Sequence, residues 1–122
     1  MSVAVELEAL AARVAEYGSR AYLLTVTDDR VPHVVSVEVA VQDGLLVTSV
    51  GRSTGANLGA RPRATFLWPP PEPSGDYSLI VDGTAVDPSG EGPITIEPTR
   101  AVLHRVAGAT GTGPTCVPVM PG

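Results

Sequence analysis

Hydrophobic residues recur along this chain with a period that changes from element to element. Over residues 2–17, Val3, Leu7, Leu10, Val14 and Tyr17 recur at alternating steps of four and three, one apolar stripe that predicts an amphipathic helix. Ser2 suits its start, Glu6 and Glu8 the positive end of its dipole, and Gly18 its stop. The pattern then becomes strand-like. Residues 21–27 read as a first strand, closed by a turn at Asp28-Asp29-Arg30. Residues 33–42 follow, with His33, Val35, Val37, Val39 and Val41 on one face and Val34, Ser36, Glu38, Ala40 and Gln42 on the other. Asp43-Gly44 predicts a tight hairpin into residues 45–50. Both faces of that third strand are largely apolar, which calls for burial on two sides or pairing across an interface.

The next stretch breaks the alternation. Gly51-Arg52-Ser53-Thr54-Gly55 reads as a polar loop, and residues 56–60 are long enough for about one helical turn before Pro62 limits it. A strand resumes over residues 63–68. A guanidinium, two hydroxyls and backbone N–H groups at the start of a helical turn make an anion site, and a phosphate is its natural occupant. The same composition also suits a plain connection with Arg52 in water.

Pro69-Pro70-Pro71-Glu72-Pro73 is a stiff excursion that cannot donate ladder hydrogen bonds at its prolines. Residues 77–86 form the fifth strand, with Gly83 as a candidate bulge, barrel corner or close backbone approach. Residues 87–93 turn the chain. Residues 94–97 and 101–106 read as a last strand or pair of strands, interrupted by Pro98. Residues 107–122 are rich in Gly, Pro and Thr without periodicity, so the division expected is a folded unit over 1–106 and a flexible tail over 107–122. Six short strands joined by hairpins, with one flanking helix, favour a small antiparallel barrel, because closure removes exposed sheet edges.

Composition narrows the function classes. The 122 residues suit one domain, and 43% hydrophobic residues with only 4% aromatic make the core one of Val, Leu, Ala and Ile. A net charge of −5 argues against nucleic acid as partner, and an oligonucleotide-binding barrel would want more aromatic platforms. All eight basic residues are arginine, which removes lysine from any mechanism. The single cysteine, Cys116, leaves no internal disulfide and fits a reducing compartment. The N-terminal stretch lacks the basic segment and apolar core of a signal peptide, and no run reaches membrane-spanning length; a cytoplasmic protein off the membrane is expected. Two histidines, His33 and His104, and a cysteine in the tail give no metal-ligand spacing. Glu38 reads as a solvated carboxylate, and Trp68 and Tyr77 as packing residues.

Four segments in fixed order carry a resemblance: A-Y-L-L-T-V-T-D-D-R, V-P-H-V-V-S-V-E-V, V-G-R-S-T-G-A-N-L-G-A-R-P-R-A and Y-S-L-I-V-D-G-T-A. Together they resemble the pyridoxamine 5′-phosphate oxidase-like, flavin- or deazaflavin-binding split-barrel family over about residues 5–106. The resemblance implies a mainly β, six-stranded antiparallel split barrel with one N-terminal helix and a short helical turn. It implies an FMN-binding oxidoreductase acting on a small molecule, with deazaflavin coenzyme F-420 as the alternative cofactor and a non-catalytic ligand-binding member as the alternative role. It also implies a homodimer with the cofactor at the subunit interface. By position Arg52, Ser53 and Thr54 would hold the phosphate, with Asn57 near the helical turn. Ser36, Val37, Thr48 and Val50 would line the ring through backbone and side-chain contacts, and Pro32-His33 would begin the strand that lies along it. Two departures stand out. The place of a lysine frequent in such proteins falls at about Gly55, so Arg61 or Arg63 would compensate only if turned inward. D-P-S-G-E-G-P, residues 87–93, replaces a helix and would leave the site more open.

Overall fold

The alternating segments become strands of one antiparallel sheet in the computed structural model, which describes residues 2–72, 75–105 and 107. Strand β1 (Ser2–Val5) leads through a 3-10 turn (Leu7–Ala9) into helix α1 (Leu10–Tyr17). Strands β2 (Arg20–Val26), β3 (Pro32–Glu38), β4 (Ala40–Gln42) and β5 (Leu45–Val50) follow, then helix α2 (Arg52–Ala60) and strands β6 (Arg63–Trp68), β7 (Tyr77–Val86) and β8 (Gly92–Arg105). The strand order is β3-β2-β6-β7-β8-β5-β4, with β1 added to β8, and the sheet curls into a half-barrel. Expectations for the tail over 107–122, including Cys116, lie outside the described residues apart from Ala107.

Several elements depart from the pattern-based expectation. The predicted helix over residues 2–17 keeps only its second half. Ser2–Val5 instead pairs antiparallel with β8, Val3 opposite Leu103 and Val5 opposite Ala101. The ladder offered by β8 satisfies backbone groups that an isolated helical turn would leave to water, and it suits the valines. Val3 and Leu7 are consequently exposed, whereas Leu10 and Val14 seal the core.

The expected second strand breaks at Val39. There the Val39 N–H donates to the Ser19 carbonyl at 2.7 Å, and the Thr48 hydroxyl donates to the Glu38 carbonyl at 2.6 Å. The last strand runs unbroken through Pro98, which sits opposite Gly83 at a bulge between Asp82 and Gly83. The extra residue of the bulge is Thr99, since Arg100 pairs with Asp82 and Pro98 with Gly83, and a ladder disrupted next to Pro98 tolerates a residue without an N–H in mid-sheet. Gly83 is also a close approach, since a Cβ there would lie 2.5 Å from Ile96 Cγ2. Eight strands thus stand among the described residues where the pattern predicts six.

The hairpin at Asp43-Gly44 is as expected: both residues have positive φ, 53° and 79°, the backbone twist a two-residue turn needs. Between sheet and helices lies a core whose fully buried members include Leu10, Leu23, Leu46, Leu58, Phe66 and Trp68. The Phe66 and Trp68 rings pack at 5.9 Å between centroids, and the Trp68 indole N–H donates to the Gly18 carbonyl at 2.9 Å, tying the end of α1 to β6. Helix α2 seats against β2 through buried Leu58 and Asn57.

Candidate functional site

The sheet does not close on itself: its end strands are β3 and β4, and beyond short β4 the opening is a seam between β3 and β5. Alternation decides what faces it. In β5, Leu46, Thr48 and Val50 point into the core while Ser49 is exposed; in β3, Val37 is buried while Ser36 is exposed. Two adjoining hollows run along the seam and share Ser36, Val37 and Ser49. One, of about 580 Å³, continues past Thr48 and Glu38 to Ser19 and Pro93. The other, of about 350 Å³, continues past His33 to Gly51, Arg52, Ser53 and Thr54.

The second hollow ends on the N-terminus of α2. The expected loop over residues 51–55 is helical from Arg52 onward, with extended Gly51 in the capping position and no side chain closing the helix end. The first intrahelical bond runs from the Gly55 N–H to the Gly51 carbonyl at 2.9 Å. The N–H groups of Arg52, Ser53 and Thr54 precede it and have no partner within the helix. They carry the positive end of the helix dipole, with the Arg52 guanidinium beside them. Arg52 is almost fully exposed, and its Nε lies 3.7 Å from Glu91 Oε1, a loose ion pair.

The remaining arginines near α2 are engaged elsewhere. Arg61 donates from Nε to the Val26 carbonyl at 3.0 Å and from Nη2 to Asp28 Oδ1 at 2.7 Å, so it braces the β2–β3 turn. Arg63 lines a separate hollow with Thr65, Asp82 and Arg100. Neither turns toward the seam. The far end of the larger hollow is different in sign. Glu38 accepts from the Ser19 hydroxyl at 2.7 Å and from Arg20 Nε and Nη2 at 3.1 and 3.0 Å. The Ser19 hydrogen bond, and then Arg20, hold its carboxyl below the usual carboxylate range. It is an ionised, solvated group with its charge matched by Arg20.

No family model matches the sequence. An uncharacterized protein of Mycobacterium bovis and another of Mycobacterium tuberculosis are each 42% identical to it over 119 residues, spanning 84% of this chain and 82% of theirs. The chain belongs to their family. Among solved structures, a Listeria innocua protein described as a pyridoxamine 5′-phosphate oxidase superposes with a TM-score of 0.63 at 20% identity, over 80% of this chain and 98% of that one. A FAD-binding protein of Mesorhizobium loti gives 0.63 at 15% identity, over 84% and 94%. An F420 reductase gives 0.60 at 19% identity, over 73% and 93%. This chain shares the split-barrel fold of these structures.

In this split barrel, seven of the eight sequence-predicted site residues fall along one seam: Ser36, Val37, Val50, Arg52, Ser53 and Thr54 on the smaller hollow and Thr48 on the larger. Thr48 and Val50 present mainly backbone there, because their side chains are buried. Asn57 lies outside both hollows. Its side chain is buried and donates from Nδ2 to the buried Thr25 hydroxyl at 3.0 Å, binding α2 to β2. Among the additions at the seam, two matter most, Ser49 and, beside Arg52, Glu91. Ser49 is legible in hindsight as the outward position between Thr48 and Val50. Glu91 had no local signal, since its approach to Arg52 depends on how the β7–β8 turn docks on α2. Among the described residues no group of His, Cys, Asp and Glu is placed to hold a metal ion, and no helix is long and apolar enough to cross a membrane.

Proposed function

We propose that the chain is a flavin-binding protein of oxidoreductase type that takes FMN in the β3–β5 seam, phosphate toward α2, and works on a small molecule as a homodimer. The observation that carries this reading is the continuity of one groove from the hydroxyls of Ser36 and Ser49 to Arg52, Ser53 and Thr54 at the helix start. The residues fit such a ligand. Arg52 and the first N–H groups of α2 suit a phosphate, and the edges of β3 and β5 offer backbone polar groups together with the exposed hydroxyls of Ser36 and Ser49. Bound flavin would supply the hydride- and electron-carrying chemistry, which no side chain at the seam replaces. The chain's own part is to hold the phosphate, orient the ring by backbone and hydroxyl contacts, and exclude water from one face. Coenzyme F-420 carries a polyglutamate tail that wants a basic groove, and Glu91 and Glu38 flank this one instead. FMN is therefore preferred.

A second copy would complete the site. Next to Ser36 the outer face of the sheet is apolar: Ser36 lies opposite Tyr22, Tyr22 opposite Leu67, Leu67 opposite Ile80, and Leu24 opposite Val34. Tyr22 and Val34 are 45% and 53% exposed, and together they form a patch of the kind that marks an interface. Light scattering at micromolar concentration is expected to give twice the chain mass, and Tyr22→Glu to shift it toward the monomer. A monomeric wild type would remove the composite site.

The direct test is the visible spectrum of the purified protein, which should show flavin bands or gain them on adding FMN. Arg52→Ala should then weaken FMN binding about ten- to thirtyfold, the scale of one charge-assisted hydrogen bond, with thermal stability unchanged because the side chain is exposed. Unaltered affinity in a fluorescence titration would take Arg52 out of the site. Colourless protein that instead quenches deazaflavin fluorescence would transfer the reading to that coenzyme.

A further inference from the structure

We propose that Glu91 is a specificity-determining residue: it competes with the ligand for Arg52 and so limits the negative charge the seam accepts. The proposal rests on the reading of this groove as a flavin phosphate site. Its basis is the docking of the β7–β8 turn on α2. That turn is tight, with positive φ at Asp87, Gly90 and Gly92, and it presses directly on the helix at Gly55. A Cβ built on Gly55 would lie 2.4 Å from the Gly90 carbonyl carbon, 2.5 Å from its oxygen and 2.7 Å from the Glu91 nitrogen. Residues 52 and 55 stand three apart on the same helix face. A turn locked to the helix at 55 therefore delivers its next side chain, Glu91, to Arg52, and the pair is formed at 3.7 Å.

The consequence is electrostatic. Opposite charges a few ångströms apart at a surface attract modestly, but the arrangement acts twice on an incoming phosphate. Part of the guanidinium's attraction is already taken, and a carboxylate held by a packed turn stays near the bound anion. Both effects grow with the ligand's charge and vanish for a neutral one.

The test compares FMN with riboflavin, the same ring without phosphate, on wild type and Glu91→Gln. Glu91 is exposed, so the isosteric change leaves the fold intact. FMN is expected to bind Glu91→Gln about three- to tenfold tighter, with riboflavin unchanged. An unchanged ratio of FMN to riboflavin affinity would overturn the proposal while leaving the flavin reading standing. Inorganic phosphate, followed through the amide resonances of Arg52, Ser53 and Thr54, separates the two ideas. Tighter phosphate binding by Glu91→Gln without any flavin binding upholds the role of Glu91 and removes the flavin. No response to phosphate or to either flavin in both proteins removes both.

Discussion

Gly55→Lys is expected to destabilise the fold by about 3 kcal/mol and to leave phosphate affinity no better than wild type. The change looks like a repair, because it would return a cation to the place where the resemblance anticipates one. The structure gives it no room. Any Cβ at position 55 meets the Gly90 carbonyl carbon and oxygen and the Glu91 nitrogen at 2.4–2.7 Å, and all three are backbone atoms that cannot rotate aside. Either α2 lifts, uncovering buried Leu58 and Asn57, or the β7–β8 turn is pushed out of its tight positive-φ conformation. Gly55→Ala is the sharper companion. In an exposed helix alanine gains up to about 1 kcal/mol over glycine, so a net loss on denaturant unfolding isolates the steric term. Neutral or stabilised Gly55→Ala would mean that the turn does not sit on the helix, and the delivery of Glu91 to Arg52 would fall with it.

The same contact marks the limit of what the sequence made legible. Strand-length apolar runs located β2, β5, β6 and β7 to within a residue, and period-two alternation found β3 and β4 as one strand, because side-chain direction in a strand follows from backbone geometry alone while the break at Val39 does not. The seam was legible too, since the resemblance and the polar stretch after Val50 pointed to the same residues. What failed were the places where distant segments decide. Val3 and Leu7 fit a helical stripe, but the open ladder of β8 drew Ser2–Val5 into the sheet. Pro98 read as a break because the bulge beside it, with Thr99 as the extra residue, is set by how β8 pairs with Asp82 and Gly83 of a distant strand. Gly51–Gly55 read as a loop because glycine and hydroxyl residues are weak helix formers, while the helix is held from outside by Leu58, Asn57 and the Gly90–Glu91 backbone. Gly55 looked like a lost cation and is instead a docking point.

Asn57 carries the other large expected effect, because it is the buried polar hinge of the helix that presents Arg52, Ser53 and Thr54. Its amide donates to Thr25, whose side chain is 2% exposed, with Leu23 and Leu58 fully buried in the same core. Asn57→Asp changes the volume hardly at all but replaces an N–H donor by a carboxylate. The Thr25 hydroxyl can reverse and donate one hydrogen bond, which falls short of the hydration that an ionised carboxylate gives up. The expected loss is about 3 kcal/mol at neutral pH. The sign with pH follows from linkage. Desolvation raises the folded-state pKa of the introduced carboxyl above its unfolded value, so between the two the native state binds more protons. Stability relative to wild type is therefore best retained below the unfolded pKa of about 4 and is lost as pH rises through the folded one. Asn57→Ala should cost less, about 1–2 kcal/mol, and the same at every pH. Urea unfolding of the three proteins at pH 4.5 and pH 7.5 measures this directly. Near-wild-type stability of Asn57→Asp at pH 7.5 would mean that position 57 faces water. In that case α2 would be seated by Leu58 alone, and Asn57 would be available to a ligand after all.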